Sequence, residues 1–216
     1  MKTIRCLSLL LALALLVLPT ACAESYAPIE PDAEQRHAVN LFLSNFTEIG
    51  LNTYAEHGIW SLGTDADEQT LVDFAHDHLW FNDYDSYEYG EWGENNCRIS
   101  DERIQSVIDD YIYDAPTVDL TQTRFDYEDG YYYHCETGGW TNCGFASVTS
   151  ICPLGEDKYY VSFMVFGGGS DWENDVMNLT IEEAWEQYGH PNGYGHALVH
   201  STDLADRSTY KLIALS

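Results

Sequence analysis

Pro116 divides this chain at a change of hydrophobic period, and that change constrains the fold more than any other feature. Before it, apolar residues recur at spacings of three and four. Pro31-Asp32 opens a segment in which Ala38, Leu41, Phe42, Asn45 and Phe46 share one side, and Gly50 closes it. Asp67 to Phe81 makes a second helix with Leu71, Phe74, Ala75, His78 and Leu79 on one face. Ser100-x-x-Arg103 starts a third, striped by Ile104, Val107, Ile108, Tyr111 and Ile112 and stopped by Pro116. After it the period falls to about two. Runs 124–127, 131–135, 145–152, 159–166, 196–200 and 209–215 are rich in β-branched and aromatic residues. Glu128-Asp129-Gly130 and Leu154-Gly155-Glu156-Asp157 supply hairpin turns, and Ile181–Tyr188 fits one short inserted helix. Tyr159–Phe166 is apolar on both faces, as a central strand would be. Helices followed by strands predict an α+β domain, with two or three N-terminal helices packed on an antiparallel meander sheet.

The first 23 residues stand apart. Lys2 and Arg5 precede an uncharged apolar run from Cys6 to Leu18, the pattern of a secretory signal and too short to span a bilayer. Ala21-Cys22-Ala23 is an A-x-A cleavage site that would leave Glu24 first. Thr20-Ala21-Cys22 also resembles the end of a lipobox, which would lipidate Cys22. Pro19 stands where that motif wants an aliphatic residue, so cleavage before Glu24 is favoured. The division expected is a signal peptide over 1–23 and one extracytoplasmic domain over 24–216, located outside the cell or in its envelope. The membrane is a partner only through an acylated Cys22.

Charge excludes other partners. The chain carries nine basic and 36 acidic side chains, a net charge of −27. Residues 24–216 keep all the acids and seven bases, a net charge of −29. Binding nucleic acid needs a basic surface that displaces counterions, and docking on anionic lipid needs a polybasic patch. Neither exists here. The 45% hydrophobic and 14% aromatic content is too high for a disordered chain.

Four cysteines follow the leader: Cys97, Cys135, Cys143 and Cys152. Export permits disulfides, and four cysteines allow three pairings. Cys135 and Cys143 flank a Gly-rich loop between two strand-like runs, which favours Cys135–Cys143 and leaves Cys97 with Cys152. No C-x-x-C pair is present, so a zinc site is not expected. Asp83, Asp85 and Glu94 match positions 1, 3 and 12 of a calcium loop, but Glu88 stands where its turn demands Gly. A solvated acidic loop is expected, with no metal and no cofactor.

Five short motifs, in order, resemble an uncharacterised family of secreted proteins and lipoproteins of Gram-positive bacteria. Phe42-Leu43-Ser44-Asn45-Phe46-Thr47-Glu48 is similar to its FLSNFSE opening. Leu71-Val72-Asp73-Phe74-Ala75 with His78 and Asn82 resembles its second helix. Asp129-Gly130-Tyr131-Tyr132-Tyr133, Tyr160–Phe166 and Tyr210-Lys211-Leu212-Ile213 resemble its hairpin, strand and ending. The resemblance implies export and a curved sheet of the cystatin-like or nuclear-transport-factor-two-like kind, and it implies no catalytic residues. The middle cysteines and His76-Asp77 depart from the pattern.

Three function classes follow. The leading one is an exported non-enzymatic binding or accessory module of the envelope, its partner an unknown ligand or envelope protein, with no catalytic residues. A purely structural envelope domain is the second. The third is a thiol hydrolase, because Asn142-Cys143-Gly144 and Gly195-His196 superficially resemble papain-like boxes. Residues after Cys143 alternate like a strand, which denies the thiol a helix N-terminus to lower its pKa. His78 is expected as a core histidine bonded to a backbone carbonyl. Of Trp60, Trp80, Trp92, Trp140, Trp172 and Trp185, several lie near loops and could line a ligand groove.

Overall fold

A computed structural model describes residues 27–49, 62–119, 123–135, 144–167 and 174–216. The helices form where the pattern places them, and polar residues fix their starts. The Asp32 side chain accepts from the Gln35 amide at 2.9 Å while Gln35 returns a bond to the Asp32 amide, a capping box that opens α1 (Ala33–Thr47). Asp67 caps α2 (Glu68–Asn82), Ser100 caps α3 (Asp101–Tyr111), and Thr180 with Glu183 forms a second capping box at α4 (Ile181–Tyr188). α3 ends five residues before Pro116. Ile112 turns extended and bridges Leu212, so a strand contact rather than the proline stops this helix.

Among the described residues, nine strands form two antiparallel sheets, where one meander was expected. The larger has the order β1 (Leu62–Gly63), β9 (Lys211–Leu215), β8 (Gly193–His200), β7 (Lys158–Gly167), β6 (Gly144–Gly155). Its last four strands are the predicted meander. The smaller has the order β2 (Glu88–Trp92), β3 (Asn95–Ser100), β5 (Tyr131–His134), β4 (Asp126–Glu128). Asp129 and Gly130 both take positive φ in the β4–β5 turn, as do Glu156 and Asp157 between β6 and β7, which matches the twist of a tight hairpin.

The second sheet corrects the reading of Asp83–Glu94 as an acidic loop. Tyr84–Ser86 is a short 3-10 turn, and the residues after it enter the β2–β3 hairpin. A strand cannot wrap a cation with positions 5 to 12 of a calcium loop.

One apolar core runs between the sheets. It joins Phe42, Leu43 and Phe46 of α1, Leu71, Phe74 and Leu79 of α2 and Ile104, Val107 and Ile108 of α3 to Val161, Phe163 and Val199 of the larger sheet and Ile99 and Tyr132 of the smaller. A second cluster, centred on Phe145, Phe166 and Met177, gathers Ala184 of α4 at the far end of β6 and β7. No described helix is long and apolar enough to cross a membrane.

α1 also seals the outer edge of β6. Val148 N–H donates to Asn40 Oδ1 at 2.8 Å, Ala146 N–H donates to Ser44 Oγ at 2.9 Å, and Thr47 Oγ1 donates to the Gly144 carbonyl at 2.8 Å. These three side chains occupy one helical face and stand in for a neighbouring strand. Ile29 N–H continues the edge by donating to the Ile151 carbonyl at 2.8 Å. An edge whose hydrogen bonds are filled cannot recruit a foreign strand.

Candidate functional site

The outward face of the larger sheet carries two exposed tyrosines, Tyr160 and Tyr194. Strand alternation turns Val161, Phe163 and Val165 of β7 and Ala197 and Val199 of β8 into the core, and Tyr160, Ser162, Met164, Tyr194, His196 and Leu198 outward. Cross-strand register arranges the outward residues in rows. Cys152, Tyr160, Leu198 and Ala214 make one, and Ser150, Ser162 and His196 the next. Ser147, Met164 and Tyr194 make the third, in which Ser147 is buried and Met164 packs against the Phe145–Phe166 cluster, so Tyr194 is its open member. The polar row is therefore flanked by the exposed Tyr160 on one side and the exposed Tyr194 on the other.

The polar row is internally bonded. Ser162 Oγ lies 3.1 Å from His196 Nδ1, and Thr149 Oγ1 donates to the Ser162 carbonyl at 2.9 Å. The His196 ring stacks on Tyr160 at 5.5 Å and 17°. Tyr160 is 40% exposed and Tyr194 69% exposed. Gly195 sits between Tyr194 and His196 because any Cβ there would lie 2.2 Å from the Phe163 ring beneath it.

Charge sets this sheet apart. None of the 36 carboxylates falls in β1 or β6–β9, whereas Lys158 and Lys211, the only lysines after residue 23, both do. The face is thus an aromatic and hydroxylic surface free of side-chain carboxylates, bounded at one end by the row of Lys158, His200 and Lys211.

The geometry gives no support to a Cys143–His196 dyad. Cys143 lies outside the described residues, but Gly144 beside it pairs with Gly167, five residues along β7 from the Ser162 that pairs with His196. That offset is roughly 17 Å along the strand direction.

The polar residues of the first two motifs converge in a buried cluster of α1, α2, α3 and the Arg207–Thr209 turn. Asn82 Nδ2 donates to Glu48 Oε1 at 2.6 Å and lies 3.2 Å from His78 Nδ1, so His78 is satisfied by a side chain rather than by the expected carbonyl. Tyr111 Oη donates to Asn45 Oδ1 at 3.2 Å and also meets the Arg207 guanidinium. Burial raises the Glu48 carboxyl against the pull of Asn82 and Arg207. Burial, reinforced by Arg207 and Arg103, lowers His78 to about 4. Each group is satisfied by another member, which describes a structural network between helices. Phe42, Tyr111, Arg207 and Lys211 line a shallow cleft beside it, but Lys211 Nζ already donates to the carbonyls of Asp109 and Asp110.

A third cluster packs α2 against the smaller sheet. His76, 4% exposed, meets His134 of β5 at 4.5 Å and 75°, within a box of Trp80, Tyr87 and Phe125. The Nε2 atoms of both histidines have no hydrogen-bond partner among the described residues. Burial lowers both imidazoles, His134 to about 4, despite Asp77 nearby. Arg124 closes the rim through Asp73 at 3.2 Å and Asp77 at 3.1 Å. Among the described residues no group of three or more His, Cys, Asp or Glu could hold a metal.

The cysteines separate. Cys97 is fully buried on β3, its thiol donating to the His134 carbonyl at 3.3 Å, whereas Cys152 carries a free thiol on the outward face of β6. The structure does not form the expected Cys97–Cys152 bridge: Cys97 faces the core from the smaller sheet, whereas Cys152 lies on the outward side of the larger. Cys135 is exposed at the end of β5, and its expected partner Cys143 lies outside the described residues. Trp80 packs in the histidine box, Trp92 stacks with Arg98, Trp185 is 39% exposed on α4, and Trp60, Trp140 and Trp172 also lie outside the described residues. Comparison with family models, curated proteins and solved structures finds no match.

Proposed function

We propose that this chain is an exported, non-enzymatic binding module of the bacterial cell envelope that takes its ligand on the outward face of the larger sheet. The observation that carries this reading is the open face itself. A domain with a purely structural role gains nothing from leaving Tyr160 and Tyr194 in water beside an unshielded His196, whereas a ligand that covers them gains the apolar contact. The leader over 1–23 and the resemblance to secreted proteins and lipoproteins support export, with Glu24 as the first residue and Cys22 removed. Cys135 and Cys143 would then meet an oxidising compartment and form the disulfide. The ligand is an envelope component, and lipid contact requires acylation of Cys22.

Isolated Gram-positive cell-wall sacculi, incubated with the full chain and with Tyr160→Ala and Tyr194→Ala, test the site. Retention that both substitutions abolish is the expected result. Equal retention of all three proteins overturns the assignment of this face. Intact mass of protein from a Gram-positive host tests export, and a diacylglycerol increment on Cys22 overturns cleavage before Glu24.

A further inference from the structure

We infer that the ligand on this face is a neutral glycan strand, laid across the polar row of Ser150, Ser162 and His196 with Tyr160 and Tyr194 as its stacking platforms. The inference rests on the site reading above and adds the chemical class. A pyranose offers apolar C–H faces together with hydroxyls around its rim. It needs rings to stack on and hydroxyl or imidazole partners beside them. The sheet places these in alternate rows: Tyr160 with Leu198 on one side, Tyr194 with Met164 on the other, and two serines with a histidine between. Tyr194 and His196 stand two residues apart on one strand, about 6.7 Å, and Tyr160 continues the line by stacking on His196 at 5.5 Å. Three rings presented on one sheet face form a platform for an extended chain rather than a pocket for a compact ligand.

Electrostatics decides among the other occupants. A polyanion would approach a domain whose residues 24–216 carry −29, and an anionic lipid surface meets the same repulsion. A second copy would bring another −29 to the interface, a repulsion that Lys158 and Lys211 at the end of the face are too few to offset. A strongly basic peptide is drawn to the acidic shell, but the sheet strands carry no carboxylate to receive it. A neutral glycan loses nothing to the field and makes full use of the rings and hydroxyls.

Cys152 provides a reporter, since its free thiol stands beside Tyr160 in the same row. The full chain is titrated with cellohexaose and chitohexaose while heat of binding and the rate of Cys152 alkylation by iodoacetamide are followed. One or both hexasaccharides should bind and slow alkylation of Cys152 several-fold. Tyr160→Ala and Tyr194→Ala should each weaken binding about tenfold, the effect of removing one aromatic contact. Glu102→Gln, on α3 and away from the face, should change nothing. Raising sodium chloride from 50 to 300 mM should leave the affinity within about twofold, as a neutral ligand requires. Both substituted tyrosines are exposed, and unchanged melting temperatures will show that the variants are folded. Absence of binding by either hexasaccharide, or binding indifferent to both tyrosines, overturns the inference. If sacculi are still retained through Tyr160 and Tyr194 while neither hexasaccharide binds, the site reading survives and the glycan class falls. Tighter binding of a polyanion such as heparin also overturns it.

Discussion

Asn40 Oδ1 accepts the backbone N–H of Val148 at 2.8 Å, while its Nδ2 donates to the Met177 carbonyl at 3.0 Å. One fully buried amide therefore ties α1 to the edge of β6 and to the turn before α4. Replacing it with Leu strands a buried N–H and a buried carbonyl, and we expect a loss of about 2–4 kcal/mol in urea unfolding. Ser44→Ala removes the bond from the Ala146 N–H and the weak one that Ser44 Oγ donates to Met177 Sδ, and should cost about 1–2 kcal/mol. Equal effects below 0.5 kcal/mol would mean that the edge is not sealed by these side chains.

Stability should fall as pH drops below neutral. His78 and His134 titrate near 4 in the folded chain and near 6.5 when unfolded, so the unfolded state binds more protons between those values. Their contribution is complete above pH 6.5 and is lost as pH falls towards 4. Asp73, raised by burial to about 6, acts in the opposite direction over its own window and blunts the slope. At constant ionic strength, unfolding free energy should be roughly 1–3 kcal/mol lower at pH 4.5 than at pH 7. His134→Phe should flatten that dependence, and an unchanged slope in this variant would refute the assignment.

Glu48→Gln keeps an acceptor for Asn82 and removes the cost of ionising a buried carboxyl. Because burial raises the Glu48 pKa, the native carboxylate loses stability as pH rises through that value. The variant should equal the parent at acidic pH and exceed it increasingly towards pH 8. A variant that is less stable at every pH would show that the Arg207 field outweighs desolvation.

Thiol reactivity should divide the cysteines. Iodoacetamide should modify Cys152 in the native protein and reach Cys97 only after unfolding, since Cys97 is 0% exposed. Peptide mapping decides it. Labelling of Cys97 under native conditions would place an opening between α2 and the smaller sheet.

Added salt should raise the melting temperature modestly, because screening at 0.15 M weakens repulsion beyond about 8 Å in a strongly acidic domain. The described ion pairs are few and largely exposed, such as Arg98 with Glu88, and contribute little against that repulsion. A steady fall in melting temperature from low to physiological sodium chloride would reverse this account.

Helices and meander were legible because their periods are written in apolar residues: Val107 and Ile108 on α3, Val161, Phe163 and Val165 on β7. The β2–β3 hairpin was not. β2 is exposed along nearly its whole length, and β3 sends only Cys97 and Ile99 fully into the core, too few to show a period against five surrounding acids. β1 is two residues long and exists only because β9 offers an edge. For the site, Tyr159–Phe166 reads as apolar on both sides, and only the register with β8 shows that Tyr160 and Ser162 share an outward face with Tyr194 and His196. The absence of carboxylates from the sheet strands was present in the sequence, but it acquires meaning only when those strands are known to be neighbours.

The seal between α1 and β6 also dictates a timetable. Asn40 and Val148 are separated by 108 positions, so a chain made or threaded from its N-terminus displays the helix long before the strand that completes it. At ribosomal speeds that interval is on the order of 5–20 s. Throughout it, Asn40, Ser44 and Thr47 lack their partners on β6, and the apolar side of the same helix waits without its sheet. The first segment to appear is thus among the last to be finished, and whatever receives the nascent chain must keep Phe42, Leu43 and Phe46 from other company until the meander arrives.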